Sequence, residues 1–379
     1  MLFLMSGVLR SASSVVLALY LALAFGQAQA SADLKASAWI PTWAQTEATN
    51  TVSSQPNLFA EASPFWFYTD KDGEIHSYLG AREDGVSDRL NRADINEIPT
   101  VTAPIGPQRA INLFGSRRSR ERHVRRIVDL ARPYEGIDFN YEHPALTTSR
   151  STARRVRSAL NTFYENACRA LERTNRTCVI TVMPRTGGDP KVWRGKLMPW
   201  VYDYELVGQV ADRVRVMAYD QHAGPYGPGP VAGAPWVDKV ARFSSKTMPG
   251  RKVELGIPLY GRRWAVSSRG TAREIYAGES DGRVVPKLAG STELSSVTWK
   301  QAQAERRRCG AEAQWSGHEK APYFRCSGEV TWFSNARASL ARAQIARRHG
   351  LRGVAFWAPY GEDPATWGKL RRSGLFGRG

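Results

Sequence analysis

Cysteine, histidine and methionine are scarce in this chain: four, six and six residues among 379. No cysteine or histidine falls at the spacing of a zinc site, so no metal is predicted, and no motif implies an organic cofactor. No glycine-rich fingerprint follows the first apolar run, which argues against a dinucleotide-binding sheet. Internal repeats, low-complexity tracts and a separate Cys-rich or lysine-rich binding module are absent as well. Acidic residues are the minority, 35 against 53 Lys and Arg, for a net charge of +18. Such a surface favours polyanions. No nucleic-acid fold signature accompanies it, however, so nucleic acid is not the expected partner. Arginines cluster at Arg117-Arg118-Ser119-Arg120 and Arg306-Arg307-Arg308, where solvated helix faces are an equal reading.

Long apolar runs are confined to the start. Arg10, the run 15–25 and the small residues Gly26-Gln27-Ala28-Gln29-Ala30 have the layout of a secretory signal. The run is too short to span a bilayer comfortably, and the Ala-Gln-Ala ending favours cleavage. Residues 1–30 are expected to be removed, leaving a mature chain 31–379 that is secreted, periplasmic or wall-associated and has no membrane span. In that setting anionic cell-wall polymers suit the basic surface better than nucleic acid does. Export also gives the cysteines meaning. They fall as two local pairs, Cys168 with Cys178 and Cys309 with Cys326, and two local disulfides are the economical expectation, although four cysteines permit three connectivities and unpaired thiols are the alternative.

Short apolar runs at 36–40, 64–68, 100–103, 136–142, 178–183, 213–219, 253–258 and 353–357 read as strands. Helical patterns separate most of them, for example at 119–131, 152–174 and 335–349. Eight strands in alternation with helices predict an α/β fold, a closed (β/α)8 TIM barrel, with an open doubly wound sheet as runner-up. Nearly a hundred residues part the seventh and eighth strands, and 265–331 is expected to form a small α+β insertion.

In the fourth strand Ile137, Phe139 and Tyr141 alternate with Asp138, Asn140 and Glu142, so the three polar side chains share one face, about 7 Å apart. Such a face is either solvated or lines a site. In a barrel of this kind active groups come from the carboxyl ends of strands. Glu142 ends the fourth strand, Met217, Tyr219 and Asp220 end the sixth, Tyr260 and Trp264 follow the seventh, and Trp357 ends the eighth. Trp236 follows the glycine- and proline-rich loop 221–235. An acid, an amide, a phenol and large aromatics at one rim suit a carbohydrate, with rings stacking on sugar C–H faces. Trp236 and Trp264 read equally as sugar platforms or rim packing, and Trp39, Trp66 and Phe67 as barrel packing. His143 and His222 adjoin the site, where a histidine fixing loop backbone is the commoner role.

The segment Glu135-Gly-Ile-Asp-Phe-Asn-Tyr-Glu142 resembles the D-x-x-D-x-D-x-E strand of glycoside hydrolase family 18, the chitinase-like barrels. Met217-Ala-Tyr-Asp220 is similar to its M-x-Y-D strand, Leu255-Gly-Ile-Pro-Leu-Tyr-Gly-Arg262 to its seventh strand and Gly353-Val-Ala-Phe-Trp357 to its eighth. Trp332-Phe-Ser-Asn-Ala-Arg337 and the segment 227–236 resemble the branch of bacterial spore-cortex and peptidoglycan-acting N-acetylglucosaminidases. The resemblance implies retaining hydrolysis in which the substrate's 2-acetamido oxygen is the nucleophile. It makes Glu142 the acid and base, Tyr219 a partner of the acetamido group, Trp357 the floor under the sugar, and Asp138 the group that holds its polar neighbour. Two positions depart from the pattern: Glu135 and Asn140 stand where the family has Asp. Asn140 removes a charge that would otherwise hold the proton on Glu142, yet its carbonyl can still accept an amide N–H. The expected partner is a polymer of N-acetylglucosamine, as peptidoglycan or chitin oligomers. A weak or inactive sugar-binding protein on the same barrel, or an adhesin working through the arginines, are the other readings.

Overall fold

The computed structural model describes residues 33–377, except 84, 188–190, 194–195, 224–226 and 267–290. The expected signal segment 1–30 lies outside the described residues. Among the described residues no helix is long and apolar enough to cross a membrane.

The first strands are β1 (Lys35–Ile40), β2 (Phe59–Pro64), β3 (Phe67–Thr69), β4 (Ile75–Ser77), β5 (Asn96–Glu97) and β6 (Thr100–Thr102). The middle of the chain gives β7 (Gly136–Asn140), β8 (Thr177–Val182), the hairpin β9 (Lys191–Trp193) and β10 (Lys196–Met198), β11 (Arg213–Val216) and β12 (Val253–Pro258). Parallel pairing runs from β6 through β7, β8, β11, β12 and β18 (Gly353–Trp357) to β1 and β2. Two broken strands close the ring. β2 ends at Pro64 and the chain resumes as β3, while β5 ends before Ile98-Pro99 and resumes as β6. β2 pairs with β5, and β3 with β6. Proline has no N–H to give a ladder, so Pro64 and Pro99 sit at the breaks. The second barrel strand therefore starts at Phe59 rather than at the expected 64, and the fourth and sixth stop at Asn140 and Val216, short of the expected 142 and 219.

Helices cover the outside. The helix Arg150–Glu172 starts where the Ser149 hydroxyl accepts the Thr152 N–H (3.2 Å), and it buries Val156, Leu160, Phe163, Ala167 and Leu171 at helical spacing. Cys168 on this helix is bonded to Cys178 on β8, which staples helix to strand. Between β12 and β18 stands a second, antiparallel sheet of β13 (Tyr260–Val266), β14 (Ser291–Thr298), β15 (Gln314–Ser316), β16 (Ala321–Cys326) and β17 (Glu329–Trp332), ordered β14-β13-β17-β16-β15. A Thr298–Gln301 capping box opens its helix Trp299–Arg308, and the Cys309–Cys326 disulfide ties that helix to β16. Buried Arg342, on the helix Ala336–Arg348, donates to the carbonyls of Ala232 (2.9 Å), Glu319 (3.0 Å) and Lys320, and so clamps a barrel loop to a turn of the second sheet.

The inside of the ring is charged. Arg215 on β11 is fully buried and donates to Glu254 Oε2 (2.9 Å), Ser63 Oγ (2.5 Å), Glu61 Oε2 (3.2 Å) and Asp138 Oδ2 (3.3 Å). Arg352 reaches Glu254 and Glu61 (3.2 Å each), and Arg213 pairs with Glu61. Three guanidinium groups thus face three carboxylates. Burial, with Glu254 adding, holds the Glu61 carboxyl above its ordinary value. Burial pushes Glu254 the same way, but Arg215 and Arg352 overcome it and hold that group below. Burial opposes charge on Arg215, and the three acids more than reverse it. Removing one partner from such a cluster strands the others without water, which costs about 3–5 kcal/mol. Arg215→Met is expected to lower the unfolding free energy by about that much in urea titration. A loss below about 1 kcal/mol would show that the carboxylates are satisfied without the guanidinium.

Candidate active site

β7 serves two compartments through its alternation. Ile137, Phe139 and Tyr141 point outward and are fully buried under the helices, while Asp138 and Asn140 point into the ring. Asp138 lies deep. Its Oδ2 accepts from Trp39 Nε1 (2.8 Å), Thr100 Oγ1 (3.0 Å) and Arg215, and its Oδ1 accepts from Thr181 Oγ1 (2.7 Å). With both oxygens engaged, it orients the Trp39 indole. Asn140, one layer up, lines a cavity of about 750 Å³ at the carboxyl end of the barrel. It is 4% exposed, and its Oδ1 has no hydrogen-bond partner among the described residues. Glu142 lies two residues beyond the strand, where its carbonyl accepts from Ala145 N (2.9 Å) and starts a tight turn through His143-Pro144. Its side chain lines the same cavity, as does His143.

The opposite wall is aromatic. Trp357 ends β18 against Phe65 (4.9 Å between ring centroids), Trp43 (6.0 Å) and Trp39 (6.1 Å). Tyr219 meets Trp39 edge-on at 6.5 Å, and Tyr260 packs against Tyr219 at 6.4 Å. Gly256 on β12 makes room for this: a Cβ there would come within 2.8 Å of the Tyr219 ring and 2.7 Å of the Val216 carbonyl. Burial keeps the Tyr219 phenol protonated far above its ordinary range, and the negative charges of Glu142, Asp220 and Asp138 add to that. Tyr219 is therefore a hydrogen-bond donor at any accessible pH. Asp220 has a left-handed backbone (φ 59°), which aspartate tolerates. Its carboxylate accepts from Arg262 Nη2 (2.6 Å) and from the Tyr260 hydroxyl. Asp220 thus joins the cavity wall to β13 of the second sheet.

Of the ten residues expected at the site, Asn140, Glu142, Met217, Tyr219, Asp220, Tyr260 and Trp357 line this cavity. Asp138 lies beneath it. Trp264 and Trp236 are corrections. Trp264 is fully buried with Tyr323, Val330 and Trp332 in the core of the second sheet, and Trp236 packs half-buried on the outer helix Ala234–Thr247. Neither lines the cavity, because Trp264 stands about 13 Å beyond Tyr260 on the same face of β13, where that face packs in the second sheet, and the helix carries Trp236 away from the rim. Trp39, expected as packing, both packs and lines the cavity. Trp43, Phe65, Trp200 and Tyr202 line it too and were not anticipated. Trp43 follows the first strand at its carboxyl end, a position that could have been flagged; Trp200 and Tyr202 lie in a loop without any motif. The Tyr202 hydroxyl donates to the Tyr141 carbonyl (2.9 Å), next to Glu142.

The sequence profile of Glycosyl hydrolases family 18 matches residues 102–362, well over half of the chain. The chain belongs to that family. It is 25% identical over 267 residues to an uncharacterized glycosylase, YvbX, of Bacillus subtilis, covering 69% of each protein. It is 24% identical to the cortical fragment-lytic enzyme of Bacillus anthracis over 64% of this chain and 51% of that protein. The match thus spans only about half the length of that relative. The crystal structure of a chitinase from Chromobacterium violaceum superposes with a TM-score of 0.73 at 20% identity, over 90% of this chain and 98% of the other. The Bacillus cereus spore cortex-lytic enzyme SleL gives 0.71 at 17%, over 92% and 76%. These superpositions speak to the TIM-type barrel; the class, glycoside hydrolase, comes with the family.

In this family-18 barrel the backbone at Glu142 is braced from behind. The Tyr141 hydroxyl donates to His123 Nε2 (2.9 Å) and takes the Thr69 hydroxyl (3.1 Å). His123 Nδ1 faces the Gly73 carbonyl (2.9 Å), an acceptor only, so Nδ1 carries the proton and in the neutral ring Nε2 accepts. Burial, with Arg126 adding and the Gly73 bond and Asp70 opposing, lowers the His123 pKa to about 4. An unfolded chain protonates this ring near pH 6.5, the folded one only near 4. Stability from this group is thus complete above about pH 6.5 and is lost as pH falls to about 4, on the order of 2–3 kcal/mol. Denaturation at pH 7, 6, 5 and 4 is expected to show that slope in the wild type and its absence in His123→Gln. Parallel curves would remove His123 as the source.

Proposed function

We propose that the protein is an exported, retaining hydrolase that cleaves β-linked N-acetylglucosamine by substrate-assisted catalysis, with peptidoglycan or its fragments favoured over chitin. The observation that carries this reading is the Asn140 carbonyl oxygen, a buried acceptor without a partner among the described residues, in the wall of an aromatic cavity. Leaving such an atom unpaired costs about 1–3 kcal/mol, which a substrate N–H recovers. The 2-acetamido group of a hexosamine has that N–H. With its nitrogen on Asn140 and its carbonyl receiving the Tyr219 hydroxyl, the acetamido oxygen is held for attack on the anomeric carbon, while Trp357 lies under the ring.

Glu142 gives its proton to the glycosidic oxygen as the acetamido oxygen forms the C–O bond and the aglycone departs. The resulting oxazolinium ion is opened by water, whose proton returns to the Glu142 carboxylate, and the product keeps the β configuration. The amide at position 140 supplies a hydrogen bond without a full negative charge, so it stabilises the cation less than a carboxylate does. The excess of basic residues supports an anionic wall as target, as do the relatives named for cortex fragments. The apolar run before a small-residue site in 1–30 supports export.

Glu142→Gln is expected to cut reducing-end release from chitooligosaccharides and purified peptidoglycan by on the order of 10²–10⁴. The first product seen by NMR is expected to be the β anomer. Asn140→Asp is expected to move the alkaline limb of the pH–rate profile upward, since a nearby negative charge holds the proton on Glu142. Equal release by wild type and Glu142→Gln would overturn the assignment. Binding of N-acetylglucosamine oligomers without release by any of the proteins would favour the sugar-binding reading, for which the amide at position 140 is the specific argument.

A further inference from the structure

The helix Ala234–Thr247 follows β11 and the helix Ala336–Arg348 leads into β18. In a barrel of parallel strands both therefore lie outside the ring, with their N-termini toward the cavity end. They pack side by side, and between them and the second sheet runs a groove of about 600 Å³. Arg337, Leu340, Gln344 and Arg348 recur at helical spacing along one side, with Lys239 and Arg242 on the other and Lys320 at the upper end. Leu340 and Ile345 give it an apolar floor. The five basic groups face one acid, Asp238, which is spent on Arg242 (2.8 Å), Arg348 (2.9 Å) and His349 (2.9 Å). Among the described residues no carboxylate pairs with Lys239, Lys320 or Arg337. The Arg337 guanidinium lies over the Trp315 ring at 3.9 Å, a contact that restricts its plane.

We infer that this groove binds a linear phosphodiester polyanion of the cell wall, such as a polyol-phosphate chain, separately from the sugar cavity. The warrant is charge complementarity in a concave site. Low-dielectric walls focus the field of the basic groups there more than on a convex helix face such as Arg117–Ala131. Arg337 offers a planar fork for a phosphate, Lys239 and Lys320 add point charges, and polyol carbons lie on Leu340 and Ile345. From Arg337 to Arg348 the track is about 16 Å long, so a linear polymer can lay successive charges along it. The inference rests on the proposal of a wall substrate, but its test needs no hydrolysis.

The probes are poly(glycerol phosphate) and, as a carboxylate polymer of matched length, polyglutamate, with binding followed by titration at low and high salt. Wild type is expected to bind poly(glycerol phosphate) more tightly than polyglutamate, and to release it as salt rises. The triple variant Lys239→Gln, Lys320→Gln, Arg337→Gln is expected to bind it at least about tenfold more weakly. A control with the same charge loss, Arg117→Gln, Arg118→Gln, Arg122→Gln, is expected to stay within about twofold of wild type. Arg337→Lys is expected to fall between, since it keeps the charge and loses the stacked fork. Thermal unfolding and turnover of soluble chitooligosaccharides are expected to match in all of them. An equal loss in the control, equal affinity for polyglutamate, or no loss in the triple variant would each overturn the inference. A chain inactive toward sugars that still binds the phosphate polymer through these three residues would refute only the hydrolase proposal.

Discussion

Everything at the cavity depends on one fully buried guanidinium. Arg215 lies buried inside the ring and donates to residues of β2, β7 and β12, while Ser37 of β1 (2.7 Å) and Arg352, next to β18, complete the shell through Glu254. In a medium that screens poorly, three positive and three negative groups are stable only together and at fixed distances. That requirement sets the register of the strands more tightly than an apolar filling would, because slipping β11 by one residue would put a valine where the guanidinium stands. The hydroxyls of Thr100 and Thr181 close the remaining lone pairs of Asp138, so the cluster reaches the strands on both sides of β7.

The cluster also explains why neighbouring polar residues of β7 do different work. Asp138 is consumed by the core and hands its orientation to Trp39, whose ring braces both Tyr219 and Trp357. Asn140, a single pleat higher, lies beyond reach of the arginines and keeps an acceptor unpaired. Glu142 leaves the strand altogether, and its turn places the carboxylate among the phenols of Tyr202 and Tyr219, both kept neutral chiefly by burial. A gradient runs along one strand, from a neutralised charge to an unsatisfied amide to a titratable acid.

Much of this was legible in the residues. The runs that became β8 and β18 are largely apolar on both faces, as buried parallel strands are, and the motif residues Tyr219, after β11, and Trp357, at the end of β18, do meet at one cavity. Arg215 was not, because an Arg-Val-Arg-Val alternation looks like a solvated edge until the ring closes and its inner face has no water. The breaks at Pro64 and Pro99 were not either: a proline marks a discontinuity, but only the pairing of β2 with β5 and β3 with β6 shows on which side the strand lies. Trp264 was placed at the rim by its distance from β12, whereas it shares a face of β13 with Tyr260 but stands about 13 Å further along, where that face has passed from the cavity into the core of the second sheet.

The course of β13 from the cavity into its own core gives the second sheet a mechanical part in the site. β13 begins two residues after β12 ends, and the same strand supplies Tyr260 to the cavity, Arg262 to Asp220, and Trp264 to its own core. Asp220 follows Tyr219 directly, so the ion pair to Arg262 sets the backbone of the phenol that lines the cavity. On the far side, Arg342 ties the loop after Asp220 to the turn before β16 through carbonyls of Ala232, Glu319 and Lys320. Each of these links has one end in the barrel and the other in the second sheet, and together they bracket the loop that carries His222. A sheet held only by its covalent connections would leave that loop and Tyr219 free to move apart. Because both links are formed by buried or half-buried arginines, moving the sheet would expose a carboxylate or strand a guanidinium, and the cavity wall therefore keeps its shape without a ligand to hold it.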